Sequence, residues 1–72
     1  MNAKILVTYK PLRHTLVEKE SNITTLCKEL GISTVIRRNL FNDTEYVALS
    51  TIVKICRHLD VPIEEVVEVI SD

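Results

Sequence analysis

The residues best suited to binding a partner lie between positions 33 and 42. Arg37 and Arg38 stand side by side there, shortly after Thr34 and Val35. A guanidinium group can form paired hydrogen bonds with guanine in the major groove of DNA or bind a phosphate, and the methyl groups of Thr and Val can contact a thymine methyl. Two neighbouring arginines on their own more often lie on a solvated surface than in a binding site. Their meaning therefore depends on the element that carries them.

Residue types that catalyse reactions or bind metals are present, but their spacing supports neither role. Cys27 and Cys56 lack a CxxC or Cys/His spacing suited to zinc, so we expect them to pack in the core. His14 and His58 have no neighbouring nucleophile, and we expect them at the surface. Three carboxylates are expected to aid solubility and a helix start rather than acid–base chemistry: Glu64, Glu65 and Glu68. The sequence predicts no enzyme, metal or cofactor, and it indicates no small-molecule ligand.

Length and composition favour one small helical domain. The chain has 72 residues, of which 26 are Leu, Ile, Val or Phe, while one Gly and two Pro leave little material for β-turns. Apolar runs such as residues 5–7 are far too short to cross a membrane or to form a secretory signal. We therefore expect a cytoplasmic protein without a membrane segment.

The charge of the chain is unevenly distributed. The net charge of -1 and the pI of about 6.1 do not by themselves favour a nucleic-acid partner. Residues 1–42, however, hold seven Lys and Arg against three Glu, a net of +4, and residues 43–72 come to -5. An average pI can therefore conceal one basic face.

Apolar spacing at i, i+3, i+4 and i+7 predicts a series of short helices. Asn22 and Ser33 are suitable N-caps, Gly31 is the only glycine and suits a helix end, and Pro11 and Pro62 fit first turns. The expected helices cover residues 11–19, 23–30, 33–41, 48–59 and from 62 nearly to the C-terminus.

The N-terminal segment predicts a different element. Residues 3–8 are β-branched and apolar enough for a short strand. Because no later segment has a clear strand pattern, we expect this arm to be buried against a second copy of the chain. The alternative dimer surface is the remaining apolar face of the fifth helix.

Residues 22–42 resemble the helix-turn-helix of the phage Cro and lambda-repressor (XRE) superfamily. The matching segments are Asn22-Ile-Thr-Thr-Leu-Cys-Lys-Glu-Leu-Gly-Ile-Ser33 and Thr34-Val-Ile-Arg-Arg-Asn-Leu-Phe-Asn42. The apolar contacts, the close helix approach and the turn glycine of that motif match Leu26, Cys27, Leu30, Gly31 and Ile32. Further likeness to small stand-alone regulators lies in residues 9–12, 46–56, 59–61 and 63–67. The resemblance implies a five-helix lambda-repressor-like DNA-binding domain over residues 1–72, with the helix-turn-helix at about 23–41.

Within that frame the third helix is expected to read DNA. If Ile32, Ile36 and Leu40 face the core, a helical step of about 100° puts Thr34 and Arg38 on the opposite side. The residues expected to contact bases are Thr34, Val35 and Arg38. The residues expected to contact the DNA backbone are Lys10, Arg13, Thr24, Thr25, Ser33, Arg37 and Asn42.

The predicted function is sequence-specific binding of double-stranded DNA as a transcriptional regulator, with a homodimer on two half-sites. A protein-interaction or antitoxin-like module on the same fold, with weak or no DNA binding, is the alternative. The pI near 6 favours it, as does Ile23, which stands where members of the resembled superfamily often carry a Gln that touches the DNA backbone.

Overall fold

The computed structural model describes residues 5–70, which form four α-helices, a short 3-10 helix and a two-stranded antiparallel sheet. None of the helices in this range is long and apolar enough to span a membrane. The elements in chain order are β1 (Val7–Thr8), α1 (Lys10–Glu18), α2 (Ile23–Leu30), α3 (Thr34–Asn42), α4 (Leu49–Leu59), the 3-10 helix (Ile63–Glu65) and β2 (Glu68–Val69).

The first four predicted helices are confirmed, with bounds within two residues of those expected. The Asn22 side chain caps α2 by accepting a hydrogen bond from the Thr25 amide at 2.8 Å. Gly31 ends α2 in the left-handed conformation, with φ 67° and ψ 33°. A residue without Cβ adopts this conformation at little cost, so the chain can turn sharply into α3.

The predicted fifth helix is wrong. Helical backbone after Pro62 covers only the 3-10 helix Ile63–Glu65, and the chain then extends into β2. Val66 is fully buried at the change of direction, and its carbonyl accepts a hydrogen bond from the Leu12 amide in the first turn of α1. The β-branched residues Val66, Val67, Val69 and Ile70 favour an extended strand once a partner strand is available, and here that preference outweighs the helical spacing.

The partner strand is the N-terminal arm, which corrects the expectation that this arm has no intramolecular mate. Val7 pairs with Val69 and Thr8 with Glu68, and the Ile70 amide donates to the Leu6 carbonyl at 2.8 Å. Residues 3 and 4 of the predicted strand lie outside the described residues. The two ends of the described chain are therefore joined in one small sheet.

The core lies among the four α-helices, together with Ile5, Tyr9 and Val66 from the segments beside the sheet and Val47 from the loop before α4. Cys27 is buried in it as expected, while Cys56 is half-buried against it, and both are free thiols. The buried apolar residues are Ile5, Tyr9, Leu12, Leu16, Ile23, Leu26, Cys27, Leu40, Val47, Ile52, Ile55 and Val66. Because α3 contributes only Leu40 to this set, most of its surface remains available for other contacts.

Candidate nucleic-acid interface

Helix α3 has an inner and an outer face, divided as its apolar spacing predicts. Leu40 is fully buried and Ile36 is half-buried against the core, as is Ile32 in the turn just before the helix. On the outer side Thr34 and Arg38 are exposed, separated by one helical turn. The helix contains two arginines and no acidic residue, so its outer face is positively charged.

The three predicted base-reading residues share this outer face. Thr34, Val35 and Arg38 are all exposed, and Val35 is 64% exposed although it is a large apolar residue. Its side chain therefore contributes little to the core of this chain. Contact with an apolar group on a partner would bury it.

The predicted backbone contacts of the helix-turn-helix lie at helix starts. Thr24 and Thr25 are exposed in the first turn of α2. Ser33 is the N-cap of α3, where its hydroxyl oxygen accepts a hydrogen bond from the Ile36 amide at 3.3 Å. Since that bond uses an oxygen lone pair, the hydroxyl hydrogen can still be donated to a phosphate.

A groove between α2 and α3 brings several predicted residues together. Its volume is about 190 Å³ and its lining residues are Thr24, Cys27, Lys28, Ile32, Thr34 and Arg37. Lys28 lies one turn after Thr24 on α2, which puts a second cation beside Arg37. Burial raises the pKa of the Cys27 thiol, although the nearby charge of Arg37 acts in the opposite direction.

Arg13 contacts the far end of α3. Its guanidinium donates to the Leu40 carbonyl at 2.6 Å and to both carboxylate oxygens of Asp43 at 3.2 and 3.3 Å. Asp43 also accepts hydrogen bonds from the Thr8 hydroxyl at 2.7 Å and the Tyr9 amide at 2.8 Å. The arginine predicted to touch DNA thus ties the C-terminal end of α3 to α1.

The charge state of Asp43 follows from these partners. Burial disfavours its ionised form, but the hydrogen bonds from Arg13, Tyr9 and Thr8, together with the charge of Arg13, outweigh burial. The pKa of the Asp43 carboxyl is therefore lower than its ordinary value. The Asp43 carboxyl is therefore ionised at neutral pH, as its salt bridge with Arg13 requires.

A sequence model described as the Cro/C1-type HTH DNA-binding domain matches residues 11–72. The chain belongs to the Cro/C1-type HTH family. Its likeness to the XRE superfamily is thereby confirmed. Within the matched range, α2, the turn at Gly31 and α3 lie where the sequence predicts the helix-turn-helix.

Among solved structures, the fold is similar to that of the transcriptional regulator VanUg, with a TM-score of 0.86. The match covers 97% of this chain and 92% of that chain at 21% sequence identity, and an identity this low supports the fold alone. No curated protein sequence matches the chain.

Of the predicted backbone residues only Thr24 and Arg37 line the α2–α3 groove of this HTH domain, and Lys10 and Asn42 are among those that do not. Lys10 begins α1 and borders a shallow surface pocket with Pro11, His14 and Glu68, beside the sheet. Asn42, expected in a loop, is the exposed last residue of α3.

Two residues that matter for the HTH were not predicted as site residues. Lys28 could have been found from its spacing, because i and i+4 positions on α2 put it on the same face as Thr24. Asp43 could not, since its partners Thr8, Tyr9 and Arg13 are 30 to 35 positions earlier in the chain.

Proposed function

We propose that this HTH protein is a transcriptional regulator that inserts α3 into the major groove of an operator. The observation that carries the proposal is the outer face of α3, which is exposed, free of acidic residues and held rigidly by Leu40 in the core. A recognition helix of this kind needs side chains that reach base edges from its first turns. Thr34, Val35 and Arg38 meet that need by their exposure.

In this proposal Arg38 reads guanine, while Thr34 and Val35 contact thymine methyl groups. The backbone contacts come from hydroxyl, amide and cationic side chains around that helix: Lys10, Thr24, Thr25, Ser33, Arg37 and Asn42. We assign Arg13 to positioning α3 instead, because its guanidinium already bonds Asp43 and the Leu40 carbonyl.

The acidic residue inside the helix-turn-helix supports the same docking face. Glu29 is the only carboxylate of α2, and its Oε1 lies 3.0 Å from Nε2 of His58 on α4. Because this carboxylate contacts α4, it is directed away from the groove that Lys28 and Arg37 line. The approach of a phosphate backbone to α3 therefore meets cations without a nearby repelling charge.

A fluorescence-anisotropy titration with duplexes from the DNA flanking its gene tests this function. Arg38→Ala should lower the ratio of operator to random-duplex affinity roughly tenfold, because one bidentate base contact contributes about 1–3 kcal/mol of discrimination. Arg57→Ala removes an equally charged, exposed side chain from α4 and is the matched control, with an unchanged ratio expected. Equal effects of the two variants would contradict the proposed docking face.

Backbone contacts are tested through the dependence of affinity on salt. Lys10→Ala should weaken binding to every duplex and reduce the slope of log K against log salt by about one. Lys54→Ala on α4 is its control. If no duplex binds the parent protein at low salt, the alternative of a protein-interaction or antitoxin-like module replaces this function.

We further propose that the regulator binds its operator as a homodimer through the β1–β2 sheet. One short HTH domain reads about one half-site, so high affinity normally needs two copies related by a two-fold axis. Val69 in the sheet and its neighbours Leu6 and Ile70, next to the two strands, expose large apolar side chains. Such a patch on a small sheet is suited to a second copy, so in this proposal the N-terminal arm contacts the second copy as part of the intramolecular sheet and not as a lone strand.

Sedimentation of two lysine variants tests this interface. Val69 on β2 and Val17 on α1 are equally exposed, at 74% each. Val69→Lys should lower the sedimentation mass to that of the monomer and weaken operator binding, whereas Val17→Lys should leave both unchanged. A dimeric Val69→Lys variant would exclude the sheet as the interface.

A further inference from the structure

We propose that the groove between α2 and α3 is a phosphate-binding site in which Lys28 and Arg37 act together. The ligand is a phosphate group, supplied by the DNA backbone or by a small phosphate-bearing molecule. The DNA version rests on the proposed function and deepens it, because it joins side chains of both HTH helices in one site.

The donor groups of the groove converge from two elements. Thr24 and Lys28 come from the same face of α2, and Thr34 and Arg37 come from α3, one turn apart. The hydroxyl of Thr24 and the two cationic groups are of the kinds that proteins use to bind phosphate oxygens. The volume of about 190 Å³ exceeds several-fold the roughly 30 Å³ that one water occupies in the liquid, so a phosphate group fits.

Arg37 lies at the border of the groove because its neighbour Ile36 occupies the position that faces the core. Ile36 is the residue of this turn that packs against the core, so Arg37 does not have to bury its side chain there. It is instead half-buried at the border of the groove. Partial burial holds a guanidinium in place and reduces its screening by water, which strengthens its attraction for an anion.

The positive charge of the groove is not neutralised from within the described residues. The two ion pairs found there are Arg13–Asp43 and His58–Glu29, so neither Lys28 nor Arg37 contacts a carboxylate in that part of the chain. Cys27, which also lines the groove, is kept in its neutral thiol form by burial and adds no negative charge at neutral pH.

The decisive test uses Lys28→Gln, since Lys28 is exposed and its loss does not disturb the core. Binding to operator and random duplexes is measured over a range of KCl concentrations. A lost backbone contact should reduce the slope of log K against log salt by about one on both duplexes, with the operator-to-random ratio unchanged. Lys54→Gln, on the exposed side of α4, should not change the slope.

Arg37 is tested by a charge-retaining pair. Arg37→Gln should reproduce the change in slope, and Arg37→Lys should restore most of it. Melting temperatures of both variants are compared with that of the parent to separate lost binding from lost folding. The Lys28 result stands independently of this pair.

A second arm replaces DNA with inorganic phosphate and follows the amide resonances of Thr24 and Thr34. Saturable shifts that disappear in Lys28→Gln but persist in Lys54→Gln identify the groove as the site.

The two experiments together distinguish the sources of the phosphate group. A reduced slope of log K against log salt identifies the DNA backbone as the source, and shifts with an unchanged slope identify a small ligand. If neither the slope nor the shifts depend on Lys28, the proposal is overturned. If the parent protein binds no DNA at all, the proposed function is wrong, and the titration with inorganic phosphate still tests whether the groove binds phosphate.

Discussion

The two ends of α3 are fixed by different means. Before α3, Gly31 adopts φ 67° and ψ 33° and Ser33 caps the helix, so a few neighbouring residues define the entry. After α3, Asp43 adopts nearly the same conformation, φ 54° and ψ 42°, although it has a side chain. A residue with a Cβ adopts the left-handed conformation at a cost that Gly avoids, although this cost is smaller for Asn and Asp than for other residues, so the second turn needs some compensation.

That compensation comes from distant residues. The carboxylate of Asp43 accepts hydrogen bonds from Thr8, Tyr9 and Arg13, which lie at the junction of β1 and α1. In the same region the buried Tyr9 hydroxyl accepts a hydrogen bond from the Val47 amide at 2.8 Å. The entry of α3 is therefore locally encoded, while its exit depends on the tertiary fold around the N-terminal sheet.

Breaking the distant network should have the largest effect. Asp43→Ala removes the ion pair, leaves the half-buried Arg13 with only the Leu40 carbonyl as acceptor and the Tyr9 amide with none, and should lower the free energy of unfolding by roughly 3 kcal/mol. Asp60→Ala is a matched control, because Asp60 ends α4 with a similar φ of 56° but has no side-chain hydrogen bond in the described structure. It should cost about 1 kcal/mol. Urea denaturation followed by circular dichroism measures both, and equal losses would contradict a special role for Asp43.

Breaking the local turn should have a smaller effect. A Cβ at Gly31 would meet no atom within 4 Å, so a substitution there is disfavoured by backbone conformation and not by crowding. Gly31→Val should cost roughly 1–2 kcal/mol, and Gly31→Asn distinctly less, since Asn tolerates positive φ. Thermal denaturation of the two variants checks this order. Equal stability of both would show that the strain at Gly31 is not conformational.

This comparison also explains how far the sequence alone could predict the molecule. The four α-helices and the Gly31 turn depend on signals within about ten residues, such as the Asn22 cap, and were predictable. The segment after Pro62 carries both helical spacing and β-branched residues. Which of them prevails depends on the partner strand, because Val69 pairs with Val7, which lies more than sixty positions earlier in the chain. Helical spacing predicts that Arg38 lies on the outer face of α3, but it does not determine which base the side chain contacts.

The cap at the entry of α3 gives the next smaller effect. Ser33→Ala removes an acceptor whose hydrogen bond to the Ile36 amide is long, at 3.3 Å. We expect a loss of about 0.5 kcal/mol, at the low end for N-caps. Asn22→Ala removes the 2.8 Å bond at the start of α2 and should cost about 1 kcal/mol. The reverse order in urea denaturation would mean that hydrogen-bond length does not govern these caps.

Acidification should produce the smallest effect and separates charge from shape at the exit of α3. The pKa of Asp43 in the folded protein is below its ordinary value of 3.8, because the bonds from Arg13, Tyr9 and Thr8 outweigh burial. Its stabilising contribution is therefore complete above the ordinary pKa and is lost as the pH falls through the folded pKa.

Asp43→Asn keeps the size and the tolerance of positive φ but cannot ionise, and the other carboxyls titrate in both proteins. The stability difference between parent and variant should thus be largest at about pH 6 and shrink towards about pH 3. A difference that stays constant over this interval would assign the contribution of Asp43 to its hydrogen-bonding shape, and the ion pair with Arg13 would then be dispensable for holding α3.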